Sequence, residues 1–394
     1  MKILVVNSGS SSLKFSLIDT KKSFKELSNG HIDGISLPSC VFIFEKNKKS
    51  TTTKIAIKDH HSAIKLALET LQKNRIIKNL NEIDAIGHRV VHGGEKYTSP
   101  IIINQKVIET IKSLCKLAPL HNPANLTGIL ACKNILPKTP QIAIFDTAFH
   151  QTMPEKAFLY ALPYSFYKNH NIRRYGFHGT SHKYVINEAI KLLKVRNPKI
   201  ISCHLGNGSS ITASINGKSV DTSMGLTPLE GIMMGTRSGT IDPAIIFHLE
   251  KTLHLTSNEV YETLNNKSGL LGISQISSDM RKIYAKSLKK DRLANLAIEL
   301  LSYQIAKYLG SYTSILGGIH AIIFTGGLGE KAFYIREKAC NYLKFLGLSL
   351  NPQKNKKCEK IISGPKSKIK VFVIPTNEEK QIAIETEKTI KNKK

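Results

Sequence analysis

The sequence predicts an α/β protein in which one strand–turn–strand unit occurs twice. Three observations carry that reading. Strand-like and helix-like segments alternate along the 394 residues. A short apolar run, a small-residue turn and an alternating run follow one another at residues 2–17, and again at residues 199–215. A third glycine-rich turn, residues 325–330, joins a strand-like run to a helix-like one. Alternating strands and helices are the pattern of an α/β fold. A chain of this length is expected to make two domains, at roughly 100–200 residues each.

Residues 2–6 (Lys-Ile-Leu-Val-Val) read as a buried strand, and residues 7–12 as its turn. Leu13, Phe15 and Leu17 alternate with polar neighbours, the period of a strand with one buried face. Residues 62–72 place Ile64, Leu68 and Leu71 at helical spacing. Residues 85–91 read as a strand running into Gly93-Gly94, and residues 107–117 as a helix ending before Pro119. Residues 141–145 form a short buried strand ending at Asp146, and a domain boundary is expected near residues 146–151. Residues 199–203 then repeat the first strand. Residues 204–210 repeat its turn, and Ile211, Ala213 and Ile215 repeat the alternation of Leu13, Phe15 and Leu17. Residues 293–316 read as a long amphipathic helix, 321–324 as a strand, and 370–374 as a last strand closed by Pro375.

The balance of 57 Lys+Arg against 29 Asp+Glu gives +28. A nucleic-acid binder gathers such charge on one element. Here the lysines are spread along the chain, with small clusters at 46–49, 354–357 and 391–394 that read as solvated loops and a tail. Neither nucleic acid nor a membrane is expected as a partner, and the excess charge favours small anions. The six cysteines, at 40, 115, 132, 203, 340 and 358, include no C-x-x-C pair. That points to reduced thiols and a cytoplasmic setting. The apolar run at the N-terminus is too short for a secretory leader.

Three turns have the composition of phosphate sites. Asn7-Ser8-Gly9-Ser10-Ser11-Ser12-Leu13-Lys14 offers converging N–H groups, hydroxyls and a cation, without the spacing of a Walker loop. His204-Leu205-Gly206-Asn207-Gly208-Ser209-Ser210 repeats the arrangement, and Thr325-Gly326-Gly327-Leu328-Gly329-Glu330 sets glycines at a helix start. Each alone is most often only a turn. Arg89, in Gly87-His88-Arg89-Val90-Val91-His92-Gly93-Gly94, and Arg237, in Gly235-Thr236-Arg237-Ser238-Gly239, have room to grip an anion bidentately, although a surface salt bridge is the commoner use of an arginine. His178 and His182 are four apart, but no glutamate makes a zinc motif of them and Gly179 argues against a regular helix across the pair. Asp146 ends a strand, where it either orients an arginine or caps a helix. Glu378 and Glu379 follow Pro375-Thr376-Asn377, as a helix's first turn often does.

Residues 7–14, 87–94, 145–150, 177–182, 204–210, 221–239 and 375–379, in that order, together resemble the acetate kinase family of the acetate and sugar kinase/Hsp70/actin superfamily. The resemblance spans nearly the whole chain. Its most specific part is Asp221-Thr222-Ser223-Met224-Gly225-Leu226-Thr227-Pro228-Leu229-Glu230-Gly231, followed by Met233-Met234-Gly235-Thr236-Arg237. It implies a duplicated two-domain actin-like, ribonuclease H-like fold with an interdomain active-site cleft. The domains would be 1–147 and 148–378, with a C-terminal helix at 379–394 packing back on the first. It implies reversible in-line transfer of the γ-phosphoryl group of ATP to acetate, giving acetyl phosphate and ADP, with Mg²⁺ (or Mn²⁺) and a homodimeric assembly. Asn7 and Glu378 would hold the metal. Ser10, Ser12 and Lys14 would line the first phosphate site, His204, Asn207 and Gly208 the second, and Gly327 and Gly329 the adenosine end. Arg89 and Arg237 would bind the carboxylate and the moving phosphoryl group, His178 would donate to its equatorial oxygens, and Asp146 would position an arginine or the metal's water. Val91, Leu120, Phe177 and Pro228 would enclose the acetate methyl group.

Those roles suit the reaction. The acceptor is already an anion, so the difficulty is bringing two anions together, and guanidinium groups, a metal and a histidine offset that repulsion. Two positions depart from the family pattern: Thr240 stands where an aspartate is usual and Lys331 where an asparagine is usual. The departures bear on the orientation of Arg237 and on contacts to the nucleoside. A propionate kinase is the nearest alternative. A non-catalytic ATP-binding relative and a polyanion-binding basic protein are the alternatives from other classes.

Overall fold

Strand β1 (Lys2–Ser8) is buried along most of its length, because it lies inside a sheet covered on both faces. The computed structural model describes residues 1–37, 39–119 and 121–393. They form two units, residues 1–149 with 377–394, and residues 150–376.

In the first unit β1 pairs antiparallel with β2 (Ser12–Asp19), which leads to β3 (Lys25–Asp33), β4 (Cys40–Lys46) and β5 (Lys49–Ile55). On its other side β1 pairs parallel with β6 (Ala85–Val90). Among the described residues the sheet has the order β5-β4-β3-β2-β1-β6-β8-β7, where β7 is Ile101–Ile102 and β8 is Gln141–Phe145. Alternation along β1 decides what covers it. Leu4 and Val6 join Leu13, Phe15 and Ile64 in a core under helices His60–Lys73 and Asn122–Ile135. Ile3 and Val5 face the other way, onto Ile382 and Ala383 of the C-terminal helix Glu378–Lys391. Fully burying one such aliphatic side chain contributes about 1.5–3 kcal/mol. The helix predicted at 107–117 is an α-helix at Gln105–Ser113 that tightens into a 3₁₀ turn at Leu114–Lys116.

The second unit repeats the core of that topology. β9 (Lys199–Leu205) pairs antiparallel with β10 (Ser209–Ile215), β10 with β11 (Lys218–Thr222), and β9 runs parallel to β12 (Ala321–Thr325), which runs parallel to β13 (Lys370–Val373). Its order, β11-β10-β9-β12-β13, matches β3-β2-β1-β6-β8 strand for strand. The long helix Arg292–Leu316 buries Ala294, Ala297, Ile298, Leu301, Ile305, Leu309, Tyr312 and Leu316 in the core it shares with the sheet and the neighbouring helices. This three-to-four spacing is one apolar face. The helix stops at Gly317, whose φ of 61° suits a residue without a Cβ. Among the described residues, no helix is long and apolar enough to cross a membrane.

Candidate active site

The first unit gathers its candidate residues at the ends of β1, β6 and β8. The parallel ladder between β1 and β6 ends at the pair Val6 and His88. Beyond that pair stand Asn7, at the mouth of the β1–β2 turn, and Arg89, near the end of β6. Asp146 follows the last residue of β8 and is almost fully buried, 1% exposed. Arg89 Nε donates to Asp146 Oδ2 at 3.0 Å, its Nη2 donates to the same oxygen, and Nε lies 3.5 Å from Glu378 Oε2. Burial works against the Arg89 charge, but the carboxylates of Asp146 and Glu378 outweigh it and hold the guanidinium pKa above its usual value. Loss of hydration raises the pKa of Glu378, and Asp146 and Glu379 push the same way against Arg89 and Lys14. Glu378 is also the first residue of its helix, where the helix dipole favours an anion.

The turn after β1 is held from behind. Gly9 N donates to Ser12 O at 2.8 Å, and buried His60 Nε2 bonds Gly9 O at 2.7 Å. Lys14 is paired with Asn7 across the hairpin and is exposed, as is Ser10, while Ser12 is half-buried. Two asparagines that sequence reasoning missed hold the backbone here, Asn125 tying this turn to the end of β6 and Asn122 fixing the chain just beyond β6. Buried Asn125 donates from Nδ2 to Ser8 O at 2.8 Å and accepts from Val91 N at 3.0 Å. Asn122 satisfies both backbone groups of His92, accepting from its N and donating to its O, each at 3.0 Å. Both carboxamides act as peptide groups where the two strands part and have no ladder left to share. Val91 is buried beside them, and Leu120 lies outside the described residues.

Asn7 and Glu378 offer hard oxygen donors, and no cluster of three or more His, Cys, Asp or Glu among the described residues could cage a metal. That donor set fits Mg²⁺, which usually keeps its waters and the substrate phosphates and takes only one or two protein ligands.

In the second unit, His178 stands just before helix Gly179–Leu193 with a φ of 56°. The helix begins at Gly179, so His182 falls in its first turn while His178 stays outside it, and no regular helix runs across the pair. A Cβ placed on Gly208 would lie 3.4 Å from His178 Nε2 and 3.5 Å from Arg237 Nη1. Backbone, imidazole and guanidinium therefore converge on one spot. The rings of His178 and His204 stack with centroids 4.3 Å apart, and His204 Nδ1 bonds Ser181 Oγ at 2.8 Å. Asn207 O accepts from Gly235 N at 3.0 Å, which couples the β9–β10 turn to the Arg237 loop.

Arg237 has weak polar neighbours: Pro228 O at 3.4 Å and Met234 Sδ at 3.7 Å. Among the described residues no carboxylate pairs with it, and desolvation lowers its pKa. Its loop is fixed by Thr240, whose N donates to Gly231 O at 2.8 Å and whose Oγ1 accepts from Gly231 N at 3.1 Å. The hydroxyl thus braces the loop at the position where Thr240 departs from the usual aspartate. Arg174 secures the stretch upstream through three backbone oxygens, Thr222, Ser223 and Met224, and through Glu230 Oε1 at 2.6 Å. Tyr160 OH donates to the other oxygen of Glu230. Phe177 is buried, and its carbonyl accepts from His150 Nε2 at 3.0 Å.

A cavity of about 600 Å³ opens beside the second turn, lined by Gly206, Asn207, Gly327, Leu328, Lys331, Arg281 and the ring of Tyr284. Tyr284 and Tyr334 stack at 3.7 Å along one wall. A Cβ on Gly327 would meet open space, so this glycine faces the cavity. Gly329 does not line it but packs on β9, against Cys203 O and Leu205. Gly326 adopts a φ of 77°, and a Cβ there would strike Leu205 O at 2.6 Å.

A profile of the acetokinase family matches residues 2–384. An acetate kinase of Pseudothermotoga lettingae is 48% identical over 398 residues, covering 100% of this chain and 98% of that one. The crystal structure of Porphyromonas gingivalis acetate kinase superposes with a TM-score of 0.94 at 41% identity, over 99% of each chain. That of a propionate kinase from Francisella tularensis gives 0.93 at 44% identity, over 98% of this chain and 99% of the other.

Proposed function

The chain belongs to the acetokinase family, and from that membership we propose that its two sets of residues serve one reaction, the direct passage of a phosphoryl group between ATP and acetate. It is a phosphotransferase with a carboxyl group as acceptor and has acetate kinase activity. The observation that carries the finer reading is Arg237, a desolvated guanidinium without a carboxylate partner among the described residues, beside His178 and Gly208. Removing a charge from water costs several kcal/mol unless a counter-ion offsets it. A transferring phosphoryl group is such a counter-ion, and it is present only during turnover.

Arg237 and His178 then stabilise the charge on the equatorial oxygens, while backbone at Asn207 and Gly208 receives the ATP phosphates. The adenosine takes the cavity beside Gly327, between Lys331 and the Tyr284 ring. Arg89 orients the acetate carboxylate. Asp146 holds that guanidinium in one rotamer, and Val91, Leu120, Phe177 and Pro228 limit the length of the acid. Ser10, Ser12 and Lys14 steady the phosphates from the first turn. Asn7 and Glu378 would hold Mg²⁺, which when bound neutralises phosphate charge. Catalysis is then mainly positioning, since the nucleophile needs no general base.

The same reading assigns the enzyme to the cytoplasm, in keeping with six free cysteines, and to a homodimer. Helix Ala244–Thr252 supports the dimer, because it has no buried residue and exposes Ile245 and Phe247. Light scattering would measure that mass. Propionate as the preferred acceptor is the second reading, favoured by the likeness to a propionate kinase. One methylene changes selectivity by only about 1–3 kcal/mol. The test is ATP-dependent acyl phosphate formation from acetate, propionate, butyrate and glycerol, trapped with hydroxylamine. Acetate ahead of propionate is expected. Propionate ahead of acetate would move the substrate, and no acyl phosphate from folded, ATP-binding protein would refute the reaction.

A further inference from the structure

Behind His178 runs a line of three side chains that the proposed reaction does not itself require. His178 Nδ1 lies 2.9 Å from Ser210 Oγ. The same oxygen lies 2.7 Å from His182 Nε2, and His182 Nδ1 lies 2.7 Å from Ser202 Oγ. Ser202, Ser210 and His182 are all fully buried. Ser202 comes from β9, Ser210 from β10 and the histidines from the start of helix Gly179–Leu193, so three elements meet to form the line.

The line can be ordered in only two directions, since each hydroxyl and each neutral imidazole carries one proton to donate. Burial keeps His182 neutral: desolvation, then the neighbouring His150 and His204, lower its pKa well below the usual value. Ser202 decides the direction. Among the described residues, its hydroxyl has one hydrogen-bond partner, His182 Nδ1. Were Ser202 to accept from that nitrogen, its own O–H would be buried without an acceptor, an arrangement that costs the full desolvation of the group. Ser202 therefore donates to His182 Nδ1. His182 Nε2–H donates to Ser210 Oγ, and Ser210 O–H donates to His178 Nδ1. The proton of His178 is left on Nε2, the nitrogen that faces Gly208, where Arg237 Nη1 also arrives.

We infer that Ser210, His182 and Ser202 are positioning residues that fix His178 as the neutral tautomer protonated on Nε2, ready to donate to the phosphoryl group without a proton transfer. The inference rests on the proposed role of His178, but the tautomer can be read independently of turnover. Full-length protein labelled with ¹⁵N-histidine should show an unprotonated Nδ1 and a protonated Nε2 at His178 near neutral pH, with the resonance assigned by its loss in His178→Ala. A protonated Nδ1, in the other tautomer or in an imidazolium, overturns the inference.

Ser210→Ala should blur that signature and lower kcat by about 10- to 100-fold, the scale seen when a metal-bound histidine loses the partner that orients its ring. KM for acetate and ATP should barely move. Ser202→Ala, two links further back, should shift the His178 tautomer in the same direction by less, which guards against a Ser210 variant that misfolds. In a His178→Ala background the Ser210 change should have no further effect. A normal spectrum and normal kcat in both serine variants, or additive losses with His178→Ala, contradict the relay. Normal turnover in His178→Ala would instead remove the proposed role of His178 and leave the tautomer to be judged by the spectrum.

Discussion

The two hairpin turns share one strand topology and differ in how their arginine is treated. In the first unit Arg89 is neutralised by Asp146 and stands 3.5 Å from Glu378. In the second, Arg237 has a carbonyl and a sulfur for neighbours and no carboxylate among the described residues. The first is a guanidinium held to a fixed pose, suited to orienting a ground-state carboxylate. In the proposed reaction the second is a charge left available for an anion that appears in the transition state. The same contrast holds for the scaffolding. The Asn125 carboxamide and the His60 ring brace the first turn, whereas a chain of serines and histidines braces the second. The two units share one five-strand order and differ in the polar side chains set behind it.

Removing the unneutralised arginine should cause the largest loss. Arg237→Ala is expected to lower kcat by about 10³-fold or more, the scale of losing an arginine that stabilises phosphoryl transfer. Circular dichroism should show an intact fold and calorimetry retained ATP binding. Near-normal kcat would break the contrast. Asp146→Asn comes next: it leaves Arg89 without its main counter-ion and should cost up to about 10²-fold in kcat/KM for acetate through misplacement. An unchanged kcat/KM would make the ion pair merely structural.

Asn125→Ala should destabilise by about 1–3 kcal/mol in urea melts, because it strands the Val91 N–H and the Ser8 carbonyl. It should also raise KM for both substrates. A loss of stability alone would confine Asn125 to the fold. Thr240→Val should have the smallest effect on the Arg237 loop, about 1 kcal/mol, through one lost hydrogen bond. Restoring the family's acid with Thr240→Asp sharpens the same point, since a hydroxyl that already braces the loop leaves little for the acid to improve.

Acid should act through the buried histidines of both units. Burial lowers the pKa of His88 to about 4, against the partial support of Gln141. A folded-state pKa below the unfolded value means that the unfolded chain binds the proton first. The contribution is therefore intact above about pH 6.5 and is lost as pH falls toward 4, by at most about 1.4 kcal/mol per unit. His88→Gln should flatten the slope between pH 6.5 and 4.5 in urea titrations. An unchanged slope would assign the effect elsewhere.

The frames were legible in the sequence and much of their bracing was not. The turns at 7–12 and 204–210 announce themselves because apolar alternation on both sides sets off a cluster of Gly and Ser. Strand β5, Lys-Ser-Thr-Thr-Thr-Lys-Ile, carries no such signal, since an edge strand with both faces in solvent needs no apolar period. Asn125 and Ser8 are 117 residues apart, and a buried carboxamide that bridges them leaves no local pattern. Gly329 shows the converse. Its motif suggests a ligand contact, and its packing shows a helix pressed onto β9. Ser210 lies inside a turn already singled out, but only the fold brings His178 and His182 onto one hydroxyl.

The most direct test of the account is the stereochemistry of transfer from ATP made chiral at the γ-phosphorus with oxygen isotopes. A single passage from ATP to acetate, with Arg237 and His178 on the equatorial oxygens, predicts inversion in the acetyl phosphate. Retention would require a phosphorylated enzyme between two displacements and would contradict direct transfer.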